Sequence, residues 1–228
     1  PMEKWDRCAF ATSEDDLEGR VCYGGLDLSS TTDITAFVLV FPPLDEEDKY
    51  TVLPYFWIPE DNIDLRVRRD HVPYDIWERQ GYLQTTEGNV VHYGYIEKFI
   101  ERLGERFNIR EIAFDRWGAV QMVQNLEGMG FTVVPFGQGF KDMSPPTKEL
   151  MKLVLEEKIA HGGHPVLRWM MDNIYIRTDP AGNIKADKEK STEKIDGAIA
   201  TIMGLDRAIR CGNDTGASVY DSRGLLFI

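Results

Sequence analysis

The chain has 228 residues, 43% of them hydrophobic and 28% charged, so it can bury a substantial core and has the composition of a globular protein. Its formal net charge of −12 argues against a protein that binds nucleic acid over its whole surface. The three widely separated cysteines match neither a disulfide framework nor a zinc site, and no apolar run is long enough to cross a membrane. We therefore expect a reducing, cytosolic setting and no membrane partner.

The first part of the chain predicts a lead-in segment followed by strands. Residues 1–20 carry aromatic side chains among many charges. Because the chain begins Pro1-Met2, we expect its N-terminus either to be cut from a longer protein or to be left by the cloning of an expressed fragment. The apolar runs that follow are rich in β-branched and aromatic residues and are joined by short connections, which predicts an antiparallel meander. The three predicted strands lie at 21–28, 34–41 and 50–58.

The middle of the chain alternates between helical and strand patterns. In the helix that starts at Tyr93, apolar residues recur at i, i+3, i+4 and i+7. The strand–helix–strand order after it predicts a βαβ unit with parallel strands. The predicted elements are a helical stretch at 63–80 broken near Pro73, a strand at 83–86, a helix at 93–107, a strand at 111–115, a helix at 119–129 and a strand at 131–136.

The last third predicts helices around a small hairpin. A glycine-containing loop at 137–144 precedes a helix that Pro145-Pro146 would open, because proline is tolerated in a first helical turn. That helix is expected to reach residue 160. The further predicted elements are a helix at 166–173, a hairpin of 174–178 and 183–186, a polar loop at 187–192 and a helix at 193–209.

The absence of repeats and low-complexity linkers from the sequence favours a single folded domain. We expect this domain to occupy residues 21–210. The lead-in at 1–20 precedes it, and the glycine- and serine-containing residues 211–228 are expected to form a flexible C-terminal tail.

Three aspartates occupy constrained positions at the ends of predicted elements. Asp27 ends the first strand, and Asp115 ends the first strand of the βαβ unit. Asp196 lies in the first turn of the last helix, beside Gly197 and Ala198, whose small side chains allow a helix to approach a sheet closely. Ligand sites gather at the carboxyl ends of strands in such sheets. If the helix crosses the first and fourth strands, the three carboxylates converge.

A convergent set of carboxylates indicates a divalent cation. Three buried carboxylates repel one another, and a cation would offset that repulsion. Oxygen ligands favour Mg²⁺ or Mn²⁺ over zinc, and two such ions suit phosphodiester hydrolysis. Each aspartate taken alone is more commonly a turn former or a helix cap.

Other polar residues near these aspartates have simple structural interpretations. Asp33 is expected to close the turn after the first strand, with support of the metal ligands as the alternative role. Four lysines before Asp196 are most simply a solvated basic stretch, and their position also makes them candidates for contacts with DNA phosphates. These lysines are Lys185, Lys188, Lys190 and Lys194.

Three blocks of the sequence together resemble the nuclease domain of the large terminase subunit of tailed phages and prophages. The blocks are GLDLSSTTDITAFVLVFP, AFDRWGA and IKADKEKSTEKIDGAIATIMGLDRA. The resemblance implies an RNase H-like α/β fold, in which a mixed sheet is flanked by helices. It also implies a two-metal endonuclease that cleaves concatemeric double-stranded phage DNA, with Asp27, Asp115 and Asp196 as catalytic residues that hold two Mg²⁺ or Mn²⁺ ions.

The same resemblance implies partners and a location. Members of this family have an ATPase motor domain before the nuclease domain, and no GxxxxGK[ST] phosphate-binding motif occurs in this sequence. The portal and the small terminase subunit are implied as partners, in the cytoplasm of the bacterial host and transiently at the procapsid portal. Relatives often carry acidic residues near the positions of His92 and Gly94, so the role of that loop here is open.

Other functions fit parts of the sequence. A Holliday-junction resolvase or a transposase-like nuclease would share the fold but cut another DNA substrate. LDLSSTTD also resembles the first phosphate loop of actin-like ATPases and sugar kinases, although these are generally longer and carry a glycine-rich adenosine motif that does not occur here. A non-catalytic docking module for the portal or motor is the remaining alternative.

Overall fold

A computed structural model of the chain describes residues 1–28, 34–61, 63–115 and 120–213. The first half contains helix α1 (Met2–Asp6), a 3₁₀ turn (Asp15–Leu17), strands β1 (Val21–Asp27), β2 (Thr35–Phe41) and β3 (Tyr50–Pro59), helices α2 (Ile63–Asp70) and α3 (Tyr74–Arg79), and strand β4 (Gln84–Thr86). The second half contains α4 (Tyr93–Arg106), β5 (Asn108–Asp115), α5 (Val120–Gly128), β6 (Val133–Phe136), α6 (Phe140–Leu155), β7 (Ile159–Ala160), α7 (Pro165–Asp172), β8 (Ile176–Thr178), β9 (Ile184–Ala186) and α8 (Asp196–Cys211).

The main sheet is mixed, as the sequence predicts. Its strand order is β4-β3-β2-β1-β5-β6. Strand β4 pairs with the end of β3, and β7 pairs with the start of β3 on the same side. Strands β1, β2 and β3 are antiparallel neighbours, whereas β5 runs parallel to β1 and β6 runs parallel to β5. Both the predicted meander and the predicted βαβ unit are therefore confirmed. The carboxyl ends of β1 and β5 consequently lie at one edge of the sheet.

Helices cover both faces of this sheet, and strand β2 accordingly has apolar side chains on both of its faces. All seven of its residues are buried, so its side chains supply two cores in alternation. Val38 and Val40 pack into the core beneath α8, α6 and α7. Phe37 and Leu39 pack into the core beneath α4 and α5. This burial on both faces explains the nearly unbroken apolar run of β2.

Helix α8 lies directly on the backbone of β1. A Cβ atom at Gly25 would stand 1.8 Å from the carbonyl oxygen of Ala200, and one at Gly204 would stand 3.3 Å from the carbonyl oxygen of Tyr23. At the far end of the helix, the Tyr23 hydroxyl donates a hydrogen bond to the Gly212 carbonyl at 2.7 Å. The helix therefore runs antiparallel to β1, and its first turn lies at the Asp27 end of the strand.

The prediction for the start and end of α6 was wrong. The helix begins at Phe140 and contains Pro145 and Pro146, rather than starting at them, and residue 160 belongs to β7. The residues assigned to a loop are helical because Met143 and Ser144 are buried against the core. The helix ends by Leu155, and Glu157 then adopts a left-handed backbone conformation with φ of 54°.

The last helix begins at Asp196, so residues 193–195 precede it. The hairpin is confirmed as the antiparallel pair β8 and β9. The turn at 29–33, including Asp33, and the tail from 214 onward lie outside the described residues. Among the helices of the described ranges, none is long and apolar enough to cross a membrane.

Candidate metal centre

Two of the three predicted site aspartates meet around one cation. Asp27 ends β1 and is 2% exposed, and Asp196 opens α8 and is 8% exposed. The ammonium nitrogen of Lys188 lies 2.6 Å from Oδ2 of Asp27 and 3.1 Å from Oδ1 of Asp196. The close packing of α8 on β1 therefore brings two carboxylates from distant parts of the sequence to a single positive charge.

Asp115 lies at the same edge of the sheet, on the neighbouring strand. Leu26 of β1 pairs with Phe114 of β5, so the strands place Asp27 and Asp115 one residue beyond this pair. The negative charge of Asp115 contributes to raising the pKa of Asp27. In the parts of the chain that the structure describes, however, no group of three or more histidine, cysteine, aspartate or glutamate side chains is arranged closely enough to hold a metal ion.

The electrostatics of the pair follow from burial and from the charge balance. The pKa of Asp27 is raised to about 7, first by burial and then by the neighbouring carboxylates of Asp196 and Asp115, while the Lys188 ammonium opposes this rise. Burial would lower the pKa of Lys188, but the two facing carboxylates outweigh it and raise that pKa. Lys188 is therefore positively charged, and two carboxylates share its single charge.

The residues present fit a divalent cation. Oδ2 of Asp27 is buried, and no donor in the described residues meets it with the direction of a hydrogen bond. Its 2.6 Å contact with Lys188 is an ion pair, which opposes the rise in the pKa of Asp27. An ammonium already stands between two carboxylates from β1 and α8, and such oxygen donors are the ligands that Mg²⁺ and Mn²⁺ prefer.

Sequence reasoning did not identify the residue that shapes the Lys188 loop. Asp187 is 7% exposed, and its Oδ1 accepts the backbone N–H groups of Glu189 at 3.0 Å and Lys190 at 3.2 Å. The Ser191 hydroxyl donates to the Asp187 carbonyl at 2.6 Å. An aspartate that binds N–H groups two and three residues ahead is a common turn former, so the signal was present in the sequence.

The comparison with protein families decides where this chain belongs. The family model described as "Terminase large subunit, endonuclease domain" matches residues 1–211. This chain belongs to that family. The predicted terminase resemblance is thereby confirmed.

Two curated proteins are similar to this terminase nuclease domain. The large terminase subunit of Enterobacteria phage HK97 is 39% identical over 191 residues, which are 83% of this chain and 38% of that protein. Protein YmfN of Escherichia coli (strain K12) is 28% identical over 217 residues, which are 91% of this chain and 48% of that protein. The chain therefore spans less than half the length of each relative.

Solved structures support the RNase H-like fold of the terminase nuclease domain. The crystal structure of the HK97 bacteriophage large terminase matches with a TM-score of 0.82 and 37% identity over 90% of this chain and 42% of that chain. The large terminase nuclease from thermophilic phage G20c, solved with bound magnesium, matches with a TM-score of 0.54 and 12% identity over 83% of this chain and 84% of that chain. The predicted fold class is confirmed.

Two of the other predicted lysines, Lys185 and Lys190, contact groups outside the carboxylate pair. Lys185 Nζ donates to the Gln138 carbonyl at 3.4 Å. The ammonium of Lys190 lies 5.5 Å from the centre of the Tyr175 ring. Lys194 lies near Asp70, whose pKa is lowered first by the Arg69 guanidinium and to a lesser degree by Lys194.

Proposed function

We propose that this domain is a metal-dependent endonuclease that cleaves concatemeric double-stranded phage DNA during genome packaging. The observation that carries the proposal is the pair of buried carboxylates, Asp27 and Asp196, with a cation between them at 2.6 and 3.1 Å. They lie at the edge of the sheet where Asp115 also ends its strand. Membership of the terminase nuclease family supports the same chemistry.

Asp27, Asp115 and Asp196 are the residues proposed to hold the metal. Two Mg²⁺ or Mn²⁺ ions would supply Lewis acidity, which activates water and stabilises the leaving oxygen of a phosphodiester. The scaffold holds Asp27 on a strand buried on both faces and Asp196 on a helix packed against that strand. Such rigid placement limits the reorganisation that the carboxylates need when they bind metal.

DNA binding by the isolated domain is expected to be weak. The chain carries a net charge of −12, so phosphate contacts depend on a local group of cations. Lys188, Lys190 and Lys194 lie in or next to the loop that leads into α8, and Lys185 lies on β9. We propose these four lysines as phosphate contacts, with binding that falls steeply as salt rises.

The proposal extends to the longer protein to which such a domain belongs. An ATPase motor domain in the same chain, the portal and the small terminase subunit are proposed partners. The site of action would be the host cytoplasm and, transiently, the procapsid portal. Within the present sequence we propose residues 21–210 as the nuclease domain, preceded by the lead-in at 1–20 and followed by the tail at 211–228.

The direct test is cleavage of plasmid DNA in the presence of Mg²⁺ or Mn²⁺. We expect cleavage that EDTA abolishes and that is lost in Asp27→Asn, Asp115→Asn and Asp196→Asn. The control is Asp16→Asn, which changes an exposed aspartate outside the site and should cleave like the wild type. Cleavage that persists in EDTA, or in all three site variants, would rule out this mechanism.

A second arm distinguishes the DNA substrate. Linear, supercoiled and four-way-junction DNA of matched length are offered at equal concentration. A packaging nuclease should cut the linear and supercoiled duplexes. Strong preference for the four-way junction would instead identify a resolvase that uses the same fold.

A further inference from the structure

The position of Lys188 has a consequence for metal binding. Its ammonium contacts one oxygen of Asp27 and one of Asp196, the carboxylates assigned to the metal. A divalent cation that binds the same two oxygens would meet that ammonium within a few ångströms. Like charges at such separations repel strongly in a partly buried site. The lysine and the metal therefore cannot both occupy the space between the carboxylates.

The position of Lys188 is set by an ordered loop. Beyond the turn that Asp187 forms, the Ser191 hydroxyl accepts the backbone N–H of Tyr175 at 3.1 Å. The Asn173 side chain donates to the Lys194 carbonyl at 3.0 Å, and the Asn173 carbonyl accepts the Thr192 N–H at 3.3 Å. Before Lys188, the Asp187 N–H donates to the Tyr175 carbonyl at 3.0 Å. These bonds tie the loop to the residues that follow α7, so the backbone at Lys188 is fixed on both sides.

The Lys188 side chain also has a route out of the site. The side chain of Lys188 is 46% exposed, whereas the side chains of Asp27 and Asp196 are 3% and 11% exposed. The ammonium thus reaches two buried oxygens from the solvent side, and rotation about its four-carbon stem can return it to water. The carboxylates, held on β1 and α8, have no comparable freedom.

We propose that Lys188 is a built-in counter-ion that competes with the divalent metal for Asp27 and Asp196. This inference rests on the proposed metal site. Without metal, the lysine neutralises part of the buried negative charge and so stabilises the fold. When metal binds, the ammonium leaves. The lysine therefore lowers metal affinity while it protects the metal-free protein.

Competition predicts opposite effects on two measurements when Lys188 is replaced. In Lys188→Gln, Mn²⁺ affinity measured by isothermal titration calorimetry should rise about tenfold, because the competing charge is gone. The melting temperature of the metal-free variant should fall by a few degrees, because two buried carboxylates lose their counter-ion. A purely structural lysine would lower both affinity and stability when removed.

The experiment uses the 228-residue chain and a matched control. Lys190→Gln removes an exposed lysine of the same loop that contacts Tyr175 rather than the carboxylates, and it should match the wild type in both measurements. Lys188→Met keeps the aliphatic stem without the charge and should behave like Lys188→Gln. It also serves as the test variant if the glutamine variant folds poorly.

The outcomes separate this inference from the proposed function. Tighter Mn²⁺ binding with lower metal-free stability in the Lys188 variants supports competition. Equal or weaker Mn²⁺ binding in those variants, with normal binding by the wild type, overturns competition and leaves the metal site intact. No Mn²⁺ binding by the wild type or any lysine variant overturns the metal site and this inference with it.

Discussion

Helix α8 carries two buried aspartates near its two ends, and their surroundings differ. Asp206 is 5% exposed and accepts from Nε of Arg210, one turn along the same helix, at 3.0 Å and 2.9 Å on its two oxygens. Nη1 of Arg207 lies 3.9 Å from Oδ2 of Asp206. Asp196 instead shares a single lysine with Asp27. Asp206 is paired with an arginine of its own helix, whereas Asp196 belongs to a pair of carboxylates that face one ammonium.

We propose that this difference distinguishes a structural charge from a functional one. An aspartate paired within its own helix needs no further cation, so its role is accounted for by stability. Two buried carboxylates that face one ammonium repel each other, and this repulsion favours binding of an additional cation. We therefore propose that repulsion between buried carboxylates, rather than burial alone, distinguishes the Asp27 end of α8 as its functional end.

The largest expected effect is on catalysis. Asp27→Asn should lower the rate of Mn²⁺-dependent plasmid cleavage by about a thousandfold or more, because it removes a proposed metal ligand. The free energy of unfolding should not fall, since the change relieves surplus negative charge. Cleavage rates and thermal unfolding of the same preparation check both points. Retained cleavage in this variant would contradict the proposed role of Asp27 as a metal ligand.

The next effect is on the packing that creates the carboxylate pair. Gly25→Ala should lower the free energy of unfolding by about 3 kcal/mol or more, because the new methyl group meets the backbone of Ala200. The control Gly128→Ala adds a methyl group that meets no atom within 4 Å and should be nearly neutral. Chemical denaturation measures both. Equal stability of the two variants would contradict the close approach of α8 to β1.

A smaller effect is expected at the other end of α8. Asp206→Asn should lower the free energy of unfolding by about 1–3 kcal/mol, because Arg210 loses its charged partner. Mn²⁺-dependent cleavage should stay within a few-fold of the wild type. A double-mutant cycle with Arg210→Gln isolates the pair from other effects. Loss of cleavage without loss of stability would assign Asp206 to the functional site instead.

The smallest expected effect concerns His164, a buried ionisable group that is neutral in the folded protein, unlike the charged aspartates of α8. Burial, with a smaller contribution from His161, lowers the pKa of His164 to about 4. Between that value and the ordinary value of about 6.5, the unfolded chain binds a proton that the folded protein does not. His164 therefore makes stability fall as pH drops from about 6.5 to about 4.

Replacement of His164 by phenylalanine tests this contribution. The ring lies beside Phe56 and Tyr82, so an aromatic substitute suits the site. The stability of His164→Phe relative to the wild type should increase by roughly 1–2 kcal/mol as pH falls through that window. Denaturant unfolding at several pH values measures the difference, with His92→Phe as an exposed control. A difference that does not change with pH would refute the assignment.

The sequence allowed most of the fold to be predicted because burial leaves local patterns. Strands β1, β2 and β3 carry the apolar runs of a sheet covered on both faces, and α4 shows a one-sided helical pattern. The same patterns placed Asp27, Asp115 and Asp196 at the ends of elements. Sequence similarity alone was sufficient to identify the family. Each of these features depends on residues that are close together in the chain.

The features that required the tertiary structure depend on distant contacts. The first turn of α6 is helical because Met143 and Ser144 reach the core, and the Ser144 hydroxyl accepts the N–H of Ile184, 40 residues away. The counter-ion role of Lys188 has no sequence pattern, since a lysine in a polar loop is ordinarily solvated. The sequence by itself determined the family, the sheet and the three aspartates. The shared lysine was decided by the tertiary structure, because α8 packs on Gly25 and a loop tied to distant residues places one ammonium between two carboxylates.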